Sequence, residues 1–407
     1  MNIFVSFLFL ASNMWLYYFF SKKEGSLFNI FLLFFVYIFS YGYYLYSVTF
    51  DHSFSLYVAS LSSVLAMWCS FLLHRRTSLN EKKPLIKSAI SNNRIVFWCA
   101  VFLLLSMSVI FFILVKGAPL LSDDPNLERL TFISSHSFIA RLINYIIPFC
   151  FYISMLFYNS VEEKRSHIVN YAFMLIALSP ALLLGNKSSV VTFILITLLF
   201  QSSIVRKEIY HRKALLILGL LSVILLFSIH MSDKNIVEIL ISVKMRLIDY
   251  SGVKVVYDDF VPREGFLYGM SILYEINSIF SALGLTESEL TQTTGNYISR
   301  WYHGFDNDYM FEYVFPIHVI GYLNGGLILS FFFSFISSYF FFYFYKLSKA
   351  TKISVTKVFY FIVSYTFIQV FISGKPGSYM IANILSYVIF LFIILSARSF
   401  FLAVIKR

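Results

Sequence analysis

Apolar runs in this chain are too long and too continuous for a fold that sits in water. They recur about eleven times, at roughly 2–20, 27–48, 54–73, 95–115, 139–159, 167–184, 189–205, 214–230, 313–344, 358–373 and 379–397. In a lipid interior each backbone N–H and C=O must find its partner inside the protein, so only helices or a closed barrel can cross. The runs do not alternate between polar and apolar residues, which selects helices. Charged residues are 13% of the 407-residue chain, against about 25% in soluble domains. The sequence therefore predicts an all-α polytopic membrane protein with about 11 transmembrane helices.

Sidedness follows from lysine and arginine, which accumulate in cytoplasmic loops. Taking alternate connections, one side collects 21 of the 32 basic residues, including the block from Arg75 to Arg94 and the group Lys346, Lys349, Lys352 and Lys357. With only five acids there, that side carries +16 and the other −5, which together return the chain's +11. The positive total thus reflects topology and contact with anionic membrane lipid, not nucleic acid. This arrangement predicts an external amino terminus, a cytoplasmic carboxyl terminus and one large external loop at 231–312. The chain then divides into helices 1–8 over 1–230, with a short external loop at 116–138, the large loop, and helices 9–11 with the carboxyl terminus over 313–407. The first run has no basic flank before it and no small-residue cleavage site, so it reads as a retained helix. Cys69, Cys99 and Cys150 fall in or beside apolar runs and form no disulfide framework.

In the large loop, Ile236, Ile239, Leu240, Val243, Leu247 and Tyr250 recur at helical spacing, and a second such stretch at 268–283 carries Ile272, Ile276, Ile279, Phe280 and Leu283. Both predict amphipathic helices on the outer membrane surface. The segment 295–309 differs, gathering Arg300, Trp301, Tyr302, His303, Asp306 and Asp308 within fifteen residues. Aromatic rings stack on sugar faces while carboxylates and imidazoles bond sugar hydroxyls or take their protons. Folding of the loop on itself is the simpler use of the same residues.

No Walker loop, HExxH or Cys/His metal spacing occurs, so no cofactor or metal is expected. External chemistry without cytoplasmic ATP needs a donor that carries its own activation, as a lipid pyrophosphate does. Its leaving group calls for cations, and arginine binds phosphate in bidentate fashion. Arg129, Arg141, Lys187, Arg246, Arg263, Arg300 and Lys375 all lie on the external side; snorkelling to headgroups is their alternative role. His318, just after Pro316, is a candidate base or equally an imidazole bonded to a carbonyl on a neighbouring helix. Gly325-Gly326 predicts close helix packing.

The many-helix layout, the segment Gly117-Ala118-Pro119-Leu120 leading to Arg129, the turn Gly185-Asn186-Lys187-Ser188 and the glycine-bearing helix after Pro316 together resemble the Wzy family. These are the polymerases of O-antigen and other oligosaccharide repeat units in bacterial inner membranes. The resemblance implies a GT-C-like fold and transfer of a growing glycan from undecaprenyl pyrophosphate to a new lipid-linked repeat unit on the periplasmic face. It implies pyrophosphate-binding roles for Arg129 and Lys187 and for one or more of Arg246, Arg263 and Arg300. His303, Asp306, Asp308 and His318 are then candidate catalytic groups, Trp301 and Tyr302 would hold sugar, and a chain-length regulator is a possible partner. O-antigen ligases look similar, but they carry asparagine after the histidine where this chain has Val319. A flippase or other transporter is the reading from a different class; such proteins favour midplane charges and internal repeats, neither of which stands out here.

Overall fold

A computed structural model describes residues 2–24, 29–47, 54–76, 91–160, 167–205, 250–282, 293–304 and 313–405. In chain order its helices are α1 (Asn2–Glu24), α2 (Leu33–Ser47), α3 (Phe54–Arg76), α4 (Asn92–Lys116), α5 (Pro125–Ser135), α6 (Ser137–Tyr158), α7 (His167–Leu183), α8 (Lys187–Phe200), α9 (251–264), α10 (Met270–Ala282), α11 (Thr294–His303), α12 (Ile317–Ala350), α13 (Val355–Ser373) and α14 (Ile384–Ile405). No strand occurs among the described residues. Among the described residues seven helices, α1, α2 with its preceding turn, α3, α4, α6, α12 and α13, are long and apolar enough to cross a membrane, and Ile168–Leu183, Ser189–Val205 and Ile384–Ser399 are shorter apolar helices. The run expected at 214–230 and the amphipathic stretch beginning at 236 lie outside the described residues.

Lipid tails are as apolar as leucine, so helices in a bilayer associate through close packing and buried hydrogen bonds. Helix α12 does both. Ser330, Ser334, Ser337, Ser338 and Ser348 are buried along it, letting α3 and α13 approach closely. The Ser338 hydroxyl meets Ser70 at 2.8 Å, and Ser337 donates to the Phe367 carbonyl at 3.0 Å. Between these contacts Phe20, Phe31, Phe34, Phe341, Phe342 and Phe371 form a continuous aromatic core, with Phe31 and Phe34 centroids 4.7 Å apart. At one end of the bundle, Lys349 pairs with Glu24, which also accepts from Tyr345 at 3.0 Å. Lys346 donates to the His74 carbonyl at 3.2 Å, and Lys357 to that of Thr351 at 3.1 Å. These lysines satisfy carbonyls at or just beyond helix C-termini, where the helix dipole favours cations.

The structure corrects the single membrane helix expected at 313–344. Residues 313–316 are extended, and the 34-residue α12 would span about 51 Å if straight. Instead it breaks at Gly325-Gly326, where Gly326 has φ +71°. A Cβ on Gly321 would strike the Leu329 carbonyl and Ser330, so residues 317–324 fold back against the start of the long segment that follows. The glycine pair makes a reversal, not the continuous packing surface anticipated.

Helices α9, α10 and α11 form a cap at the opposite end from the Glu24–Lys349 pair. The Leu267 amide donates to the Leu323 carbonyl at 2.7 Å, and that of Gly269 to Asn324 Oδ1 at 2.8 Å, tying the cap to the fold-back.

Candidate functional site

A cavity of about 340 Å³ lies between α6, α7, α8, α13 and the turn 377–383 that leads into α14. Its lining includes five phenols, Tyr145, Tyr152, Tyr365, Tyr379 and Tyr387, together with Asn144, Asn186, Ser189, Thr192 and Gln369; among the described residues no acidic one lines it. Two local distortions place these groups. Residues Leu142–Ile146 of α6 form a π turn, followed by Pro148, and the widened turn lets the consecutive Ile143, Asn144 and Tyr145 all face the cavity. A regular helix would spread them over a wide arc. The second π turn, Gly377–Asn383, presents Tyr379.

The wall is bonded internally. Ser189 donates to Asn144 at 2.7 Å, Gln369 to the Tyr365 hydroxyl at 2.7 Å, and Tyr152 to the Phe193 carbonyl at 3.3 Å. Hydroxyls and amides held this way are pre-positioned for a polyhydroxylated or anionic ligand.

Cations stand beside this cavity. Arg129 of α5 donates to the Gly185 carbonyl at 3.3 Å, next to lining residue Asn186. Gly185 has φ +67° and lets α7 turn tightly into α8, whose first residue is Lys187; the Lys187 side chain is not described. Thus two residues expected to act together, Arg129 and Lys187, come from segments that the fold brings together. Arg141 and Lys375 both lie close enough to the Tyr145 hydroxyl to act on it electrostatically. The sequence marked both as external cations and singled out Arg141, with Lys187, as a cation at a helix end that is costly unless it faces a polar cavity or partner.

The other anticipated residues lie elsewhere. In the cap, Trp301 donates to Glu264 at 3.0 Å and packs edge-on against Phe260 with centroids 5.0 Å apart. Tyr302 is 49% exposed, and His303 Nε2 lies 3.0 Å from the Tyr313 hydroxyl. Arg263 pairs with Asp259 at 3.2 Å one turn away, and Arg300 lies on α11. None of these lines the cavity. Partial burial, with Tyr297 beside it, raises the pKa of Tyr274 above the ordinary phenol value, so this cap hydroxyl stays neutral. Arg246, Asp306 and Asp308 lie outside the described residues.

His318 is fully buried, with Nε2 2.8 Å from the Tyr41 hydroxyl, which is itself 3.1 Å from Ser60. It belongs to an internal cluster in which Tyr41 stacks on Tyr37 and meets Tyr250 edge-on at 5.2 Å. The imidazole is bonded within the bundle to a tyrosine hydroxyl in place of the carbonyl anticipated, and His318 and His303 are held by different partners.

Sequence reasoning missed two further features. The cavity phenols are scattered from 145 to 387, so no local motif announces them. Tyr268, 82% exposed, holds φ +45° beside Gly269 at φ +94°, a conformation that non-glycine residues seldom adopt outside constrained, often functional turns. Comparison with family models, curated proteins and solved structures returned no match to this chain.

Proposed function

We propose that the chain is a polymerase of lipid-linked oligosaccharide repeat units, acting at the outer face of a bacterial inner membrane with its amino terminus periplasmic and its carboxyl terminus cytoplasmic. The observation that carries this reading is the cation-flanked, hydroxyl-lined cavity at the cap end of an apolar helix bundle. A polyprenyl chain would remain in lipid, its pyrophosphate would meet Arg129, Arg141, Lys187 and Lys375, and the first sugar would contact the phenols and amides.

In this reaction the anomeric carbon–oxygen bond to the pyrophosphate breaks and a bond forms from that carbon to a hydroxyl of the incoming repeat unit. The hydroxyl proton passes to a base, and undecaprenyl pyrophosphate leaves with the bonding electrons. Negative charge grows on the pyrophosphate as the bond breaks, so fixed cations stabilise the transition state more than the ground state. Among the described residues no carboxylate lines the cavity, which suits this use, because an anion there would repel the leaving group. For the acceptor side, His303 with the neighbouring aromatic residues of the cap is the candidate among the described residues, and Asp306 and Asp308 follow it in sequence. A GT-C-like scaffold is part of the same proposal.

Deleting the gene tests it. Lipid A core bearing one repeat unit and no ladder is the expected gel pattern. Naked core with accumulated lipid-linked polymer would instead assign a ligase, and naked core with single lipid-linked units held at the cytoplasmic face a flippase.

A further inference from the structure

Helix α10 is joined to the bundle by its polar residues. Glu275 is 1% exposed, the one acidic residue so deeply buried among those described. Burying a carboxylate is costly unless strong donors meet it, and Glu275 Oε2 accepts from the Gly377 amide at 2.7 Å. That amide opens the helical run into α14, where exposed N–H groups and the helix dipole favour an anion. One turn earlier on the same face, Ser271 accepts a bond from Asn324, and its carbonyl accepts from Thr294 at 3.1 Å. Meanwhile Met270 and Leu273 are 43% and 49% exposed. The helix has been turned so that Ser271 and Glu275 face inward.

Glu275 therefore grips the four-residue bend between α13 and α14, Gly374-Lys375-Pro376-Gly377. A Cβ on Gly377 would meet Glu275 Cβ at 2.5 Å and its carbonyl carbon at 3.0 Å, so the two backbones touch. On the other flank Gly374, at φ +61°, is pressed against the Phe315 carbonyl and Ile320. Proline fixes its own backbone angle between them. From this clamped bend come Lys375, in electrostatic range of Tyr145, and Tyr379, which lines the cavity and whose amide bonds the Lys375 carbonyl at 3.1 Å.

We propose that Glu275 is a positioning residue for the diphosphate site: through Gly377 it sets where Tyr379 stands at the cavity and where Lys375, on the same bend, points its charge. This rests on reading the cavity as the site of a lipid-linked diphosphate. Glu275 touches no substrate in this scheme; it acts through the bend.

The test uses the purified full-length chain, with undecaprenyl pyrophosphate as probe and undecaprenol as its neutral counterpart. Glu275→Leu removes the acceptor and should weaken diphosphate binding roughly tenfold while leaving undecaprenol binding unchanged. Glu275→Gln keeps an acceptor oxygen for the Gly377 amide and should retain most of the affinity. Gly377→Ala, which keeps Glu275 but leaves no room for the added Cβ, should behave like Glu275→Leu and serves if that variant fails to fold. Lys375→Ala should have little further effect in the Glu275→Leu background, because neighbours that act through one element are not additive. Wild-type affinity in both Glu275→Leu and Gly377→Ala, or independent multiplication of the Glu275 and Lys375 effects, would overturn the proposal. A wild-type chain that binds both lipids equally would reject the diphosphate site itself, and this inference with it.

Discussion

The two ends of the bundle use their cations in opposite ways. At one end Lys349 has Glu24, Lys346 has the His74 carbonyl and Lys357 the Thr351 carbonyl, so positive charge is consumed in holding helices together. At the other, Arg129 bonds the Gly185 carbonyl next to a cavity whose described lining holds no carboxylate, and Arg141 and Lys375 stand in electrostatic range of its Tyr145. There the wall offers hydroxyls and amides. Residue type alone does not separate these roles; what differs is the chemistry of the surrounding wall.

Substitution at each end sharpens that contrast. The largest effect is expected for Arg141→Ala: loss of about a hundredfold or more in polymer formation, the order seen when a fixed transition-state donor is removed, with normal protein in the membrane. Lys375→Ala should follow with roughly a tenfold loss, since lysine offers a point charge in place of arginine's fork; initial rates on purified lipid-linked repeat units measure both. Glu24→Ala should act the other way, lowering stability by about 1 kcal/mol through the loss of Lys349 and Tyr345 as partners. Polymer made per folded molecule should not change, and a drop in that ratio would abolish the distinction between the ends. The smallest effect is expected for Arg263→Ala. Its side chain is 69% exposed in a same-helix pair with Asp259, and solvent screening limits the change to less than about 0.5 kcal/mol; thermal melts and ladder length should both match the parent.

The membrane segments were legible because an apolar run faces one dominant constraint, backbone satisfaction in lipid, and length alone reveals it. The turn at Gly185 was legible for a similar reason: two runs each too short to be merged must reverse between them. The break at Gly325-Gly326 was not, since paired glycines serve close packing and reversal equally well, and only the approach of Gly321 to Leu329 distinguishes them. Periodicity in α10 put Ile272 and Ile276 on the packing face and left Glu275 unremarked. It could not register that a helix N-terminus waited at Gly377 to accept a buried anion. Pairing Arg129 with Lys187 came from a resemblance, and the fold brings their segments together. Arg141 stood out at a helix end from the sequence, whereas Lys375 acquires meaning only once the 374–377 bend is seen in electrostatic range of Tyr145.

The reversal within α12 also bears on how such a chain is threaded into a bilayer during synthesis. Hydropathy counts 317–350 as one insertion signal, yet its first eight residues fold back against the segment that follows Gly325-Gly326. Part of an insertion signal can thus return into the protein interior, delivering His318 and Asn324 to buried positions.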